Sequence, residues 1–121
     1  EGNLTEDEAQ EIVDFFFLKA NCFYDAAPPV VAQTTGIGNT YQHTTLGGVD
    51  KHTGEDATNP VTYMVLETMG RLKLHDPTIS LRINKNTPQK VWDCAFAINQ
   101  LVGGLPLLQN DEVNNDKLLL S

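Results

Sequence analysis

Two helix starts spelled the same way, with a cleanly alternating run between them, constrain this chain more than any other feature. Asn59-Pro60 and Thr87-Pro88 each set a side-chain acceptor before a proline. The proline's missing N–H costs nothing in a first helical turn. After the first junction, Val61, Met64, Val65, Thr68 and Leu72 recur on one stripe, predicting a helix to about Leu74 that Pro77 cannot continue. After the second, Val91, Trp92, Ala95, Ile98 and Val102 mark a buried side, and Gly103-Gly104 ends the helix. Between them Thr78-Ile79-Ser80-Leu81-Arg82-Ile83 alternates and predicts a strand. Ile79, Leu81 and Ile83 share one face; Thr78, Ser80 and Arg82 share the other.

The same grammar extends in both directions. Thr5-Glu6-Asp7-Glu8 is a capping box, and Ile12, Val13, Phe16, Phe17 and Ala20 carry a packed helix from about 5 to 21. A short strand is expected over Tyr41 to Leu46, closed by Gly47-Gly48, with residues 50 to 58 forming a solvated loop. Leu105 to Gln109 reads as a short buried strand. Helix and strand therefore alternate three times, which predicts an α/β chain of crossover units with parallel strands, open or closed into a barrel. In a barrel the apolar face of residues 78–83 would pack on outer helices, turning Thr78, Ser80 and Arg82 inward. A polar lining there marks a site, because structural barrel interiors favour bulky aliphatic residues. The uncovered sheet edges and the apolar tail Lys117-Leu118-Leu119-Leu120-Ser121 lead us to expect a segment of a larger body.

Composition removes several function classes. Sixteen Asp and Glu against eight Lys and Arg give a net charge of −8, which argues against phosphate-backbone binding and adhesion to anionic membranes. No apolar run approaches the roughly 18 residues of a membrane span, and no signal peptide is visible at Glu1-Gly2-Asn3. Cys22 and Cys94 lack the spacing of a disulfide framework or zinc site and read as reduced, half-buried thiols of a cytoplasmic protein. His43, His52 and His75 lack the i, i+4 spacing of a helical metal site and read as loop or surface residues. Asp50, Glu55, Asp56 and Asp111-Glu112 read as solvated acids without EF-hand spacing. Gly36-Ile37-Gly38 is no dinucleotide fingerprint, and neither GxSxG nor a P-loop occurs.

Five motifs, in order and with matching gaps, carry a resemblance. They are TLGG at 45–48, DATNPVTYMVLE at 56–67, HDPTISLRI at 75–83, NTP at 86–88 and GLPLLQNDE at 104–112. Together they resemble the central barrel of the glycyl radical enzymes, the pyruvate formate-lyase-like family, and the helix LTEDEAQEIVDFFFLKAN fits the same pattern. The resemblance implies that residues 1–121 are a partial domain, a segment of a ten-stranded α/β barrel. It further implies a protein glycyl radical that oxidises a cysteine at the barrel centre, whose thiyl radical takes hydrogen from a small organic substrate. The radical would be installed by a partner, an S-adenosylmethionine-dependent iron–sulfur activase, in a cytoplasmic homodimer that binds neither nucleic acid nor membrane.

The GCVE-type cysteine motif and the glycine-radical motif do not occur in these residues. No catalytic or metal residue is therefore assigned, and the segment alone is expected to be inactive. Tyr41 matches an aromatic position that lines the substrate pocket in several members; Gln42 and His43 adjoin it, and alternation aims one of those two inward with it. Tyr41, Gln42, Ser80 and Arg82 are the expected substrate-binding residues, the last two from periodicity alone. A dehydratase, decarboxylase or lyase branch is expected, with a fumarate-adding alkylsuccinate or arylalkylsuccinate synthase as the alternative. A noncatalytic acidic α/β interaction domain is the rival from another class.

Overall fold

The computed structural model describes residues 2–22, 29 and 42–114. Tyr41 and the tail after Asn114 lie outside them. Among the described residues six elements follow in order: α1 (Glu6–Asn21), β1 (His43–Gly47), α2 (Pro60–Leu72), β2 (Thr78–Ile83), α3 (Gln89–Leu101) and β3 (Leu107–Asn110). The strands form one parallel sheet in the order β1-β2-β3, so α2 and α3 are each a crossover between neighbouring strands. The expected alternation and the strand over 78–83 are both present.

Local chemistry sets the boundaries. Thr5 caps α1 as a full box: Glu8 N–H donates to Thr5 Oγ1 at 3.2 Å, and Thr5 N–H donates to Glu8 Oε2 at 2.8 Å. Asn59 caps α2 by accepting from Val61 and Thr62 N–H. That helix ends at Leu72, not Leu74, because Lys73 turns left-handed at φ 52° and donates its N–H to Met69. The second junction differs from its expected form. Pro88 itself is the N-cap of α3 and provides no side-chain cap. Thr87 instead donates its hydroxyl to Asp56 Oδ2 at 3.1 Å and accepts from Asn84 N–H at 2.9 Å.

All three helices cover one face of the sheet. Ile79 packs with Phe17, Val65, Leu66, Met69, Ile98 and Val102, while Leu81 and Ile83 pack with Val91 and Ala95. Each Val, Leu, Ile, Phe or Met side chain among them contributes roughly 1.5–3 kcal/mol by leaving water. Between α1 and α2 a hydrogen-bonded knot complements the apolar contacts. Asp14 accepts from the Thr68 hydroxyl, from Gln10 and from Arg71. Burial works against its charge, but these donors outweigh burial and hold the Asp14 pKa below the ordinary value. The expected burial of the last strand is reversed: Leu107 and Leu108 are exposed, because β3 is an edge with no neighbour beyond it among the described residues.

Candidate functional site at the polar face of the sheet

The register of the parallel strands decides which residues share the face turned from the helices. His43 is opposite Thr78, Thr45 opposite Ser80, and Gly47 opposite Arg82. Ser80 in turn is opposite Leu107, and Arg82 opposite Gln109. Paired residues point the same way, so His43, Thr45, Thr78, Ser80, Arg82 and Gln109 form a largely polar face, which they share with Gly47 and the exposed Leu107. This is the arrangement that alternation alone predicted for Thr78, Ser80 and Arg82.

Ser80 is the centre of that face and is wholly buried beneath its neighbours. Its Oγ lies 2.7 Å from His43 Nε2 and accepts from Gln109 Nε2 at 3.2 Å. Gln42 points elsewhere: its amide donates to the carbonyl of Ala20 in α1 at 3.5 Å, on the helix side of the strand. Of the two residues beside Tyr41, His43 is therefore the one on the polar face. Sequence reading grouped it with loop histidines because its partner Ser80 is 37 positions away; the parity of β1 with Tyr41 was the available signal.

At the carboxyl ends of the strands three of the sequence motifs meet on Arg82. Its Nε donates to Asp111 Oδ1 at 2.7 Å, tying the HDPTISLRI strand to the NDE element. Its guanidinium lies against Gly48 of the TLGG turn, where an added Cβ would stand 3.1 Å from Cζ and Nη1. Gly47, at φ 69°, approaches the Arg82 carbonyl so closely that a Cβ would be 2.7 Å from it. Only glycine fits there. Asp111 is 3% exposed, and its Oδ2 has no hydrogen-bond partner among the described residues. It is thus an anchored acid rather than the solvated one expected.

Asp56 is also mispredicted as solvated. Its Oδ2 accepts from Asn84 Nδ2 at 2.8 Å and from Thr87, and its Oδ1 accepts from Thr58 N–H at 2.9 Å. Burial opposes its charge, but the donors from Thr58, Asn84 and Thr87 prevail and hold its pKa below the ordinary carboxylate value. Asn84 Nδ2 also donates to Gly48 O at 3.3 Å. One carboxylate thereby fastens the loop after β1 to the end of β2 and the start of α3. A cleft of about 190 Å³ lies beside this clasp, between Val49, Gly54, Asn84, Asn86, Asp111 and Glu112. The carboxyl ends of parallel strands are where α/β folds place their ligands.

Cys22 and Cys94 are free; Cys94 is half-buried as expected, whereas Cys22, the C-cap residue just beyond α1, is exposed. Among the described residues no three His, Cys, Asp or Glu groups stand together as a metal site, and no helix is long and apolar enough to cross a membrane.

A profile of the pyruvate formate lyase-like family matches residues 1–120. The chain is 33% identical to a trans-4-hydroxy-L-proline dehydratase of Clostridioides difficile over 98% of its own length and 15% of that protein. It is similarly 33% identical to an isethionate sulfite-lyase of Nitratidesulfovibrio vulgaris, over 93% of the chain and 14% of the relative. Among solved structures, the glycerol-bound B12-independent glycerol dehydratase of Clostridium butyricum superposes with a TM-score of 0.88 at 34% identity, covering 98% of this chain and 15% of that one. A glycyl radical enzyme of Archaeoglobus fulgidus gives 0.78 at 33% identity, over 92% and 14%. The chain thus spans about a seventh of the proteins it matches. With three of the five motifs meeting on Arg82 and the match running through residues 1–120, the chain belongs to the pyruvate formate-lyase-like family of glycyl radical enzymes, as a stretch of their α/β barrel.

Proposed function

We propose that this polar face is part of the wall of the substrate cavity in a dehydratase, lyase or decarboxylase that cleaves a bond beside an activated carbon. The observation that supports this most is the convergence on Arg82 of TLGG, HDPTISLRI and GLPLLQNDE at the carboxyl ends of the strands. The relatives named for dehydrating hydroxyproline or cleaving isethionate favour this branch over fumarate addition.

The glycyl radical, relayed to a cysteine contributed from outside this segment, supplies abstraction of a hydrogen atom from a substrate carbon. The residues of this segment bind, orient and exclude water. Ser80 and Arg82 provide polar groups on the cavity side, and the role of aromatic pocket residue is assigned to Tyr41, which lies outside the described residues, from its place in the sequence alone. Gln42, engaged with Ala20, supports the strand from behind. Arg82 holds Asp111 in place through Nε, while its Nη groups, unengaged by any described residue, remain donors to a substrate oxygen.

We further propose that the complete enzyme is a cytoplasmic homodimer activated by an S-adenosylmethionine-dependent iron–sulfur partner. Anaerobic activation of the enzyme carrying this segment should give a doublet electron paramagnetic resonance signal; a silent spectrum with a competent activase would defeat the reading. Arg82→Met should raise KM by about tenfold or more, the loss of one charge-assisted contact.

A further inference from the structure

We propose that His43 is a substrate-binding residue of this cavity, presenting an Nδ1–H donor to a substrate oxygen, with Ser80 and Gln109 fixing the ring for that task. The inference deepens the reading above and rests on it. A serine hydroxyl has one proton to give and two lone pairs to receive with. Ser80 is wholly buried, so that proton needs an acceptor within the protein. Gln109 Nε2 donates to Ser80 Oγ and takes no proton from it. Among the described residues the remaining partner is His43 Nε2 at 2.7 Å, to which the role of acceptor therefore falls. A neutral imidazole accepting at Nε2 carries its proton on Nδ1.

The consequences run outward from Ser80. The His43 side chain is exposed on the polar face, and no described residue engages its Nδ1. The core does not hold the ring; the Ser80 hydroxyl sets its orientation. What this presents is a directed donor, with the Arg82 guanidinium on the same face of the neighbouring strand. Arg82 stands four residues further along the register, opposite Gly47, so the two donors address different ends of the wall, and the His43 donor by itself suits an oxygen acceptor, namely a hydroxyl, carboxylate or sulfonate group.

Two substitutions separate this role from simple bracing. His43→Asn sets an amide nitrogen near the former Nδ1 and gives up the contact with Ser80. His43→Gln reaches toward Ser80 and gives up the cavity donor. The activated enzyme carrying this segment is supplied with trans-4-hydroxy-L-proline, isethionate, glycerol and propane-1,2-diol, and KM and kcat are measured on whichever it converts. His43→Asn is expected to stay within about threefold of the parent KM, and His43→Gln to raise KM about tenfold, with kcat changing less. The reverse order, or equal values in both, overturns the inference while leaving the family reading intact. A parent enzyme that shows the full radical signal yet converts none of the four compounds sinks the dehydratase and lyase reading, and this inference with it.

Discussion

Arg82 reaches from β2 to Asp111, the residue immediately after β3, and joins the carboxyl ends of two parallel strands through a 2.7 Å contact between Nε and Oδ1. The two partners are unequally wet: the Arg82 side chain is 40% exposed and that of Asp111 only 4%. Removing the arginine therefore strands a buried carboxylate, whereas removing the acid lets the guanidinium turn to water. Arg82→Ala should cost about 3 kcal/mol and Asp111→Ala about 1 kcal/mol. The double variant should lose clearly less than their sum, because neither charge is then left alone. Urea unfolding of the four proteins measures the cycle; strict additivity would show that the pair is not coupled.

The TLGG turn yields a graded expectation. Gly47 faces the backbone carbonyl of Arg82, which cannot withdraw, whereas Gly48 faces a flexible guanidinium. Both adopt positive φ, a strain of about 1–3 kcal/mol for other residues. Gly47→Ala should therefore destabilise by about 3 kcal/mol or more, with Gly48→Ala milder by at least 1 kcal/mol. Thermal unfolding of the two variants would contradict the account if their order were reversed.

Asp56 makes stability depend on acid. Its folded pKa is depressed below the unfolded value of about 3.9. Its stabilising contribution is thus fully present above that value and is lost as pH falls through the lower folded pKa. Asp56→Asn should flatten the decline in stability between about pH 4 and pH 2 while lowering stability at pH 7. Denaturant midpoints across that range check the slope; an unchanged slope would show that Asp56 is not the group responsible.

The helix layer has its own open seam. Ile12, Phe16 and Val61 are each more than half exposed around a hollow of about 340 Å³ between α1, α2 and the β1 edge. A chain spanning about a seventh of its relatives meets water here with a contiguous apolar surface. The 121 residues expressed alone should self-associate, and Phe16→Lys should shift the sedimentation profile toward monomer. Identical profiles for the two would show that this seam is not the sticking surface.

Much of the architecture was written locally. The Thr5 box, the Asn59-Pro60 start and the alternation over 78–83 are short-range patterns, so α1, α2 and β2 fall close to where the sequence puts them. The misses are long-range. Thr87 looks like a cap, yet its hydroxyl is drawn to Asp56, 31 positions away. Asp56 and Asp111 sit in polar stretches that read as solvated, and only strand pairing brings Asn84 and Arg82 against them.

For the candidate site the division is the same. The period of two fixed which residues of β2 share a face, since side-chain direction follows from backbone geometry alone. The five motifs in order were enough to indicate the family. That His43 and Gln109 close over Ser80, while Gln42 turns back to α1, was decided by the register between strands. Register depends on how helix faces pack across the sheet, and no local stretch of sequence encodes that distance.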